Sequence, residues 1–204
     1  MPLNIEELLI TVPIVLFSIT IHEYSHGKAA LSLGDPTAKN AGRLTLNPIS
    51  HIDPIGAICL LLFHFGWAKP VPVDARYFQN PRRDIVLMAL SGPVANFAAA
   101  FLAGLFFRYF PMDFIIYQKI LLYIVIFNIA LGLFNLLPIP PLDGSHVLEN
   151  LLPPRASEKF RKVRRFAPFI LIGVLLMDRF FQTGILGKLL ETPIKFLTKL
   201  LIGA

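Results

Sequence analysis

Cysteine is nearly absent: Cys59 is the only one among 204 residues. An internal disulfide is therefore excluded, and so are metal sites of the four-Cys or mixed Cys/His type. Any metal must be held by histidine, aspartate or glutamate. Charge is also scarce. Asp, Glu, Lys and Arg make up 16% of the chain, against about 25% in soluble domains. Acidic residues are the rarer sign, 13 against 19 basic ones, for a net charge of +6. Nucleic-acid binding does not follow from that excess, because the basic residues mostly lie in short segments between apolar runs, where they fit membrane topology. No internal repeat or low-complexity segment is present. No basic run opens the chain, and Glu6 and Glu7 precede the first apolar stretch, so the start does not read as a signal peptide.

Apolar sequence is what the chain has in abundance. The hydrophobic share is 55% and the mean hydropathy +0.64. A helix needs about 20 mainly apolar residues to cross the hydrocarbon core. Three runs meet that length, at about residues 8–33, 85–107 and 114–137. Gly34-Asp35-Pro36 ends the first. Residues 37–83 are rich in Pro, Gly and Asn, and hold an apolar patch at 55–65 that is too short to cross and reads as re-entrant or surface-lying. Residues 43–46 and 71–73 read as short strands. A fourth apolar piece, 166–181, is short and contains Pro168, and the tail 185–202 reads as an amphipathic helix on the membrane surface. The expected fold is thus an all-α polytopic membrane protein. It has a three-helix catalytic core, a re-entrant or short-strand segment after the first helix, and C-terminal helices. The length suits one membrane-embedded domain over 1–204, with a core of about 8–152 and a C-terminal part of about 153–204. Residues 39–83 and 155–165 each hold six Lys/Arg. Placing both on the cytoplasmic side of the cell membrane gives three crossings between an outside N-terminus and the second basic segment.

Within the first run lies His22-Glu23-Tyr24-Ser25-His26, an HExxH pattern. Residues four apart share a helix face, so both imidazoles can bind one ion, and Glu23 stands beside it to take a proton from metal-activated water. Such a match arises by chance on the order of once in a few hundred chains. Lipid changes the odds, since each ionisable group at membrane depth costs about 2.5–3.5 kcal/mol on insertion scales. Three of them within five residues call for a compensating cation. Catalytic zinc takes three protein ligands and an open position. Asp143 is the strongest third candidate, because it follows the third run within a Pro-rich break where irregular backbone can line a polar cavity. The competing reading is a plain Asp-Gly turn. His51, His64 and His146 each stand alone, as ordinary hydrogen-bonded histidines do. Asn96 and Asn135 lie in apolar spans and can bond neighbouring helices. Asn135, eight residues before Asp143, is also placed to stabilise an oxyanion.

HExxH inside a membrane helix, Ser91-Gly92-Pro93 followed by Asn96, and Asn135-Leu136-Leu137-Pro138-Ile139-Pro140-Pro141-Leu142-Asp143-Gly144 together resemble the site-2 protease family of intramembrane metalloproteases. Gly66-Trp67-Ala68-Lys69-Pro70-Val71-Pro72-Val73 resembles its small prokaryotic members, which lack PDZ and CBS domains. The resemblance runs from about His22 to Gly144. It implies His22, His26 and Asp143 as ligands of one Zn²⁺ per chain, Glu23 as the catalytic acid/base and Asn135 as an assistant. It also implies a transmembrane protein or peptide substrate met within the lipid bilayer, with no nucleic-acid partner and homo-oligomerisation left open. The alternatives are a membrane metal-ion transporter and a non-catalytic metal-binding membrane protein. A transporter would want acidic residues along a pathway, and the spans hold few; the intact Glu23 argues against a non-catalytic role.

Overall fold

The computed structural model describes residues 5–63, 66–167, 169–171, 173 and 184–203. Three long helices form its frame: α1 (Ile5–Ser32), α4 (Pro81–Tyr109) and α5 (Ile115–Asn135). Shorter helices fill the connections: α2 (Thr37–Asn40), α3 (Pro54–Phe63), α6 (Asp143–Leu151), α7 (Pro154–Arg164) and α8 (Ile185–Ile202). The three long helices are the described ones with the length and apolarity to cross a membrane. They coincide with the three runs expected from hydropathy. The piece at 166–181 falls largely outside the described residues, and so does His64.

Local chemistry sets the helix ends. Gly34, at φ 106°, takes a backbone conformation other residues avoid, and stops α1 just before Pro36. Pro81 occupies the first turn of α4, and Asp84 reaches back to accept the Asn80 N–H at 2.9 Å. The helices then pack with their polar and small residues inward. Ser18, Asn96 and Asn128 are fully buried, whereas Val94 and Phe101 are 60% and 51% exposed. That arrangement is the reverse of a water-soluble core and suits apolar surroundings. Contacts between His26 and Met88 and between Ser18 and Asn96 run α1 and α4 antiparallel. Asn96 also meets Asn128 of α5.

After α1 the chain folds back across that helix. The buried Asp35 carboxylate accepts the N–H groups of Thr37 (2.9 Å) and Asp74 (2.7 Å), tying the α1 exit to the far end of the segment. The apolar patch forms α3, ten residues and about 15 Å long, too short to cross. Neither 43–46 nor 71–73 forms a strand; the only pairing among the described residues is one antiparallel bridge, Ile52 to Ala68. Around 71–73, Pro70 and Pro72 donate nothing and the Val71 N–H is given to the Glu23 carboxylate at 2.9 Å, so no ladder forms there.

The tail differs from expectation in placement. It is helical, but α8 packs Ile194, Leu197, Leu201 and Ile202 against Ala100, Ala103, Val125 and Ile129 of the long helices. Small residues on α4 make the room: a Cβ added to Gly104 would sit 2.8 Å from the Leu201 side chain. A surface-lying helix would have left that groove open.

Candidate metal centre

His22 and His26 lie one helical turn apart on α1, about 9–15 Å from its Ser32 end. Asp143 reaches them by an unusual route. The chain leaves α5 at Asn135, turns through the proline-rich stretch, and starts α6 at Asp143. Gly144 permits the turn, since a Cβ there would collide with the carbonyls of Leu136 and Leu137. Asp143 is thus the first residue of a helix, and the plain-turn reading fails.

His22, His26 and Asp143 come together as a compact triad. The two Nε2 atoms are 3.0 Å apart. Asp143 Oδ2 lies 3.1 Å from the first and 3.3 Å from the second. Tautomers follow from the far sides of the rings. His22 Nδ1 lies 2.7 Å from Asn96 Oδ1, and His26 Nδ1 lies 2.8 Å from the Met88 carbonyl. Both partners accept only, so each neutral ring carries its proton on Nδ1 and turns a lone pair towards the other ring. Asp143 Oδ2, buried and without a hydrogen-bond partner, adds a third acceptor. One proton could bridge two of these atoms but could not satisfy all three. A divalent cation would satisfy them together, and two nitrogens with one carboxylate oxygen suit zinc. The α4 helix leaves the space: a Cβ on Gly92 would fall 2.5 Å from His26 Nε2 and 2.7 Å from His22 Nε2.

Glu23 is half-buried, and its Oε2 accepts the Val71 N–H at 2.9 Å. Val71 is bracketed by Pro70 and Pro72, so its N–H is the only backbone donor of those three residues. The fold-back segment therefore holds the HExxH glutamate. Asn135, the last residue of α5, donates to the Leu131 carbonyl at 3.0 Å, which engages one of its two amide protons.

The two other described histidines, His51 and His146, have separate partners. His51 is buried and donates from Nε2 to the Thr45 carbonyl at 2.9 Å. His146 Nδ1 accepts from Arg164 at 3.1 Å. Burial, with the Arg164 charge beside it, holds His146 below the ordinary imidazole pKa. Arg164 and Arg161 also pair with the buried Glu149, at 2.9 and 3.2 Å, which clamps α7 onto α6. Sequence reading gave no role to Gly92, Val71 or Asn128. A polar amide inside a 21-residue apolar helix was a usable signal for Asn128; Val71 lay within the motif at 66–73, but nothing in the sequence said which acceptor its N–H would meet.

Comparison with known proteins bears on this geometry. Residues 111–177 match the model of Peptidase family M50. The chain is 41% identical over 186 residues to "Putative zinc metalloprotease YwhC" of Bacillus subtilis, covering 86% of this chain and 83% of that protein. It is 29% identical over 168 residues to "Putative zinc metalloprotease Rip2" of Mycolicibacterium smegmatis, covering 79% of this chain and 64% of that protein. The Rip2 protein of Mycobacterium tuberculosis H37Rv is likewise 29% identical, over 169 residues and the same shares. The chain thus spans just under two thirds of the mycobacterial relatives. No solved structure matches it. Three long apolar helices, a His/His/Asp cluster between them and the extent of the Bacillus match place the chain in peptidase family M50, the site-2 protease family of membrane metalloproteases.

Proposed function

We propose that this protein is a single-domain intramembrane zinc endopeptidase that hydrolyses peptide bonds of transmembrane or membrane-proximal substrate segments. The observation that carries the reading is the convergence of three potential ligand atoms, His22 Nε2, His26 Nε2 and Asp143 Oδ2, beside the glutamate of the same motif. These three side chains would hold one zinc ion. Zinc held there would supply Lewis acidity, making water acidic enough to attack near neutral pH and polarising a substrate carbonyl. Glu23 would accept the proton of the attacking water and return it to the leaving amine. The Val71 N–H keeps one oxygen of Glu23 oriented and leaves the other free for that work. Asn135 would assist with its remaining amide proton at the developing oxyanion. A substrate helix hides its carbonyls in hydrogen bonds, so the cleaved stretch must be locally unwound. Reconstituted with a generic transmembrane substrate, the protein should cleave it, lose cleavage on metal chelation, and regain it on zinc repletion. Cleavage that persists in demonstrably zinc-free protein would sink the reading.

The orientation is part of the same proposal. Arg82 donates to the Leu152 carbonyl at 2.8 Å, which joins the start of α4 to the residues just before α7. Both basic segments thus sit at one end of the bundle, and the positive-inside bias assigns that end to the cytoplasm. Single cysteines introduced at 39–83 and 155–165, in a Cys59→Ser background, should label from the cytoplasmic face alone. Labelling of the two segments from opposite faces would overturn the three-crossing core.

A further inference from the structure

We propose that Asn96, held by Asn128 and Ser18, is a positioning residue that locks His22 in the tautomer able to bind a metal. This inference rests on the metal centre proposed above. The two histidines are supported differently. His26 hydrogen-bonds a backbone carbonyl, Met88, which can only accept. His22 hydrogen-bonds a side-chain amide, and an amide can turn over. Were the Asn96 amide reversed, its NH₂ would face His22 Nδ1. The His22 proton would then move to Nε2, the atom that faces His26 and Asp143, and the ligand would be lost.

The structure blocks that reversal through a chain of bonds with fixed polarity across three helices. Asn96 Nδ2 donates to the Ser18 carbonyl at 3.0 Å and to Asn128 Oδ1 at 2.8 Å, which uses both its protons. Asn128 Nδ2 donates to the Ile124 carbonyl and to Ser18 Oγ, both at 2.9 Å, which again uses both. Ser18 Oγ donates in turn to the Ile14 carbonyl at 2.8 Å. Turning Asn96 over would set its oxygen against the Ser18 carbonyl and Asn128 Oδ1. Turning Asn128 over would set its oxygen against the Ile124 carbonyl. Backbone carbonyls cannot reverse, so the polarity of the whole chain is anchored at Ile14, Ser18 and Ile124. Every member is at most 1% exposed at its side chain's residue (Ser18 1%, Asn96 0%, Asn128 0%), so no water can relieve a mismatch. Packing alone would not require a network that ends on a metal-facing imidazole with this polarity.

Zinc affinity, measured by chelator competition on the full chain in detergent, tests the proposal alongside thermal unfolding of the same samples. Asn96→Leu removes the acceptor and should weaken zinc binding by about 100-fold, the upper end for partners that orient a ligand. Asn96→Asp keeps an oxygen acceptor for the His22 Nδ1–H, and when protonated it directs its single O–H at the Ser18 carbonyl or Asn128 Oδ1, where the Asn96 NH₂ now points. It should hold zinc within about threefold of wild type, even though a carboxylate against the Ser18 carbonyl lowers the unfolding temperature. Asn128→Leu should weaken zinc by about 10-fold with Asn96 intact, and by less than about twofold in the Asn96→Asp background. Affinity that follows unfolding temperature across the set, or an equal loss from Asn128→Leu in both backgrounds, would reduce the network to packing and overturn the proposal. Wild type that binds no zinc would overturn the metal centre itself; wild type and Asn96→Leu binding zinc alike would overturn only the lock.

Discussion

Glu23→Gln should stop peptide cleavage while zinc stays bound. Glutamine matches glutamate in size and keeps an oxygen for the Val71 N–H that Glu23 Oε2 accepts at 2.9 Å. The fold-back segment should therefore stay in place. What glutamine lacks is the capacity to take a proton from water at neutral pH and hand it on. General acid–base assistance is worth about 10²–10⁴-fold, and Glu23 is asked to serve both the water and the leaving amine, so the loss should lie near the upper end. Glu23 is not among the three converging atoms, and zinc content should be unchanged. A metal-transporting protein behaves otherwise: neither form cleaves, and flux need not stop in the variant. The measurement is a time course of substrate cleavage in liposomes with zinc assayed in the same samples. Cleavage close to wild type by the zinc-loaded variant would remove Glu23 from the mechanism.

The second large effect is expected from Asp143→Ala, which should lower zinc affinity by more than about 100-fold, beyond the loss typical of an outer partner. The accompanying change in stability is informative through its dependence on zinc, because in metal-free protein Asp143 Oδ2 lies 3.1 and 3.3 Å from two imidazole nitrogens and can share a proton with them. At free zinc about 1,000 times its Kd, wild type gains about 4 kcal/mol, and a site 100-fold weaker gains about 1.4 kcal/mol at the same concentration. Were the three side chains simply an ion-paired structural cluster, Asp143→Ala would destabilise the metal-free protein and leave no zinc-dependent difference. Full zinc binding and activity in the variant would remove Asp143 as a ligand.

Much of the site was legible because it is local. His22 and His26 are four apart on a helix, and helical geometry alone puts them on one face with Glu23 beside them. Asp143 was legible for a different reason: the cost of leaving two imidazoles and a carboxylate in lipid demands another ligand, and acidic residues near apolar runs are few. The three spans were readable from length and hydropathy. The short strands at 43–46 and 71–73 were not borne out, because local composition favours extended backbone at both places while strand pairing needs a partner at the right register. The tail was mistaken for a surface helix because its amphipathic pattern says which face is apolar and nothing about what that face meets.

By itself, the sequence determined an all-helical membrane chain with three crossings, an HExxH pair on the first, and membership in a metalloprotease family through motifs in a shared order. Those features depend on residue type, spacing of a few positions, and the cost of polarity in lipid. Only the tertiary structure decided that Asn96 hydrogen-bonds His22, that Asn128 and Ser18 hold Asn96, that Val71 hydrogen-bonds Glu23, and that Gly92 opens the space in which His22, His26 and Asp143 meet. These contacts join residues 74, 78, 32, 110 and 48 positions apart. No local rule sets such pairings, because they depend on the depth and rotation at which three helices pack, and a shift of one residue along any helix would turn a different side chain to the His/His/Asp cluster.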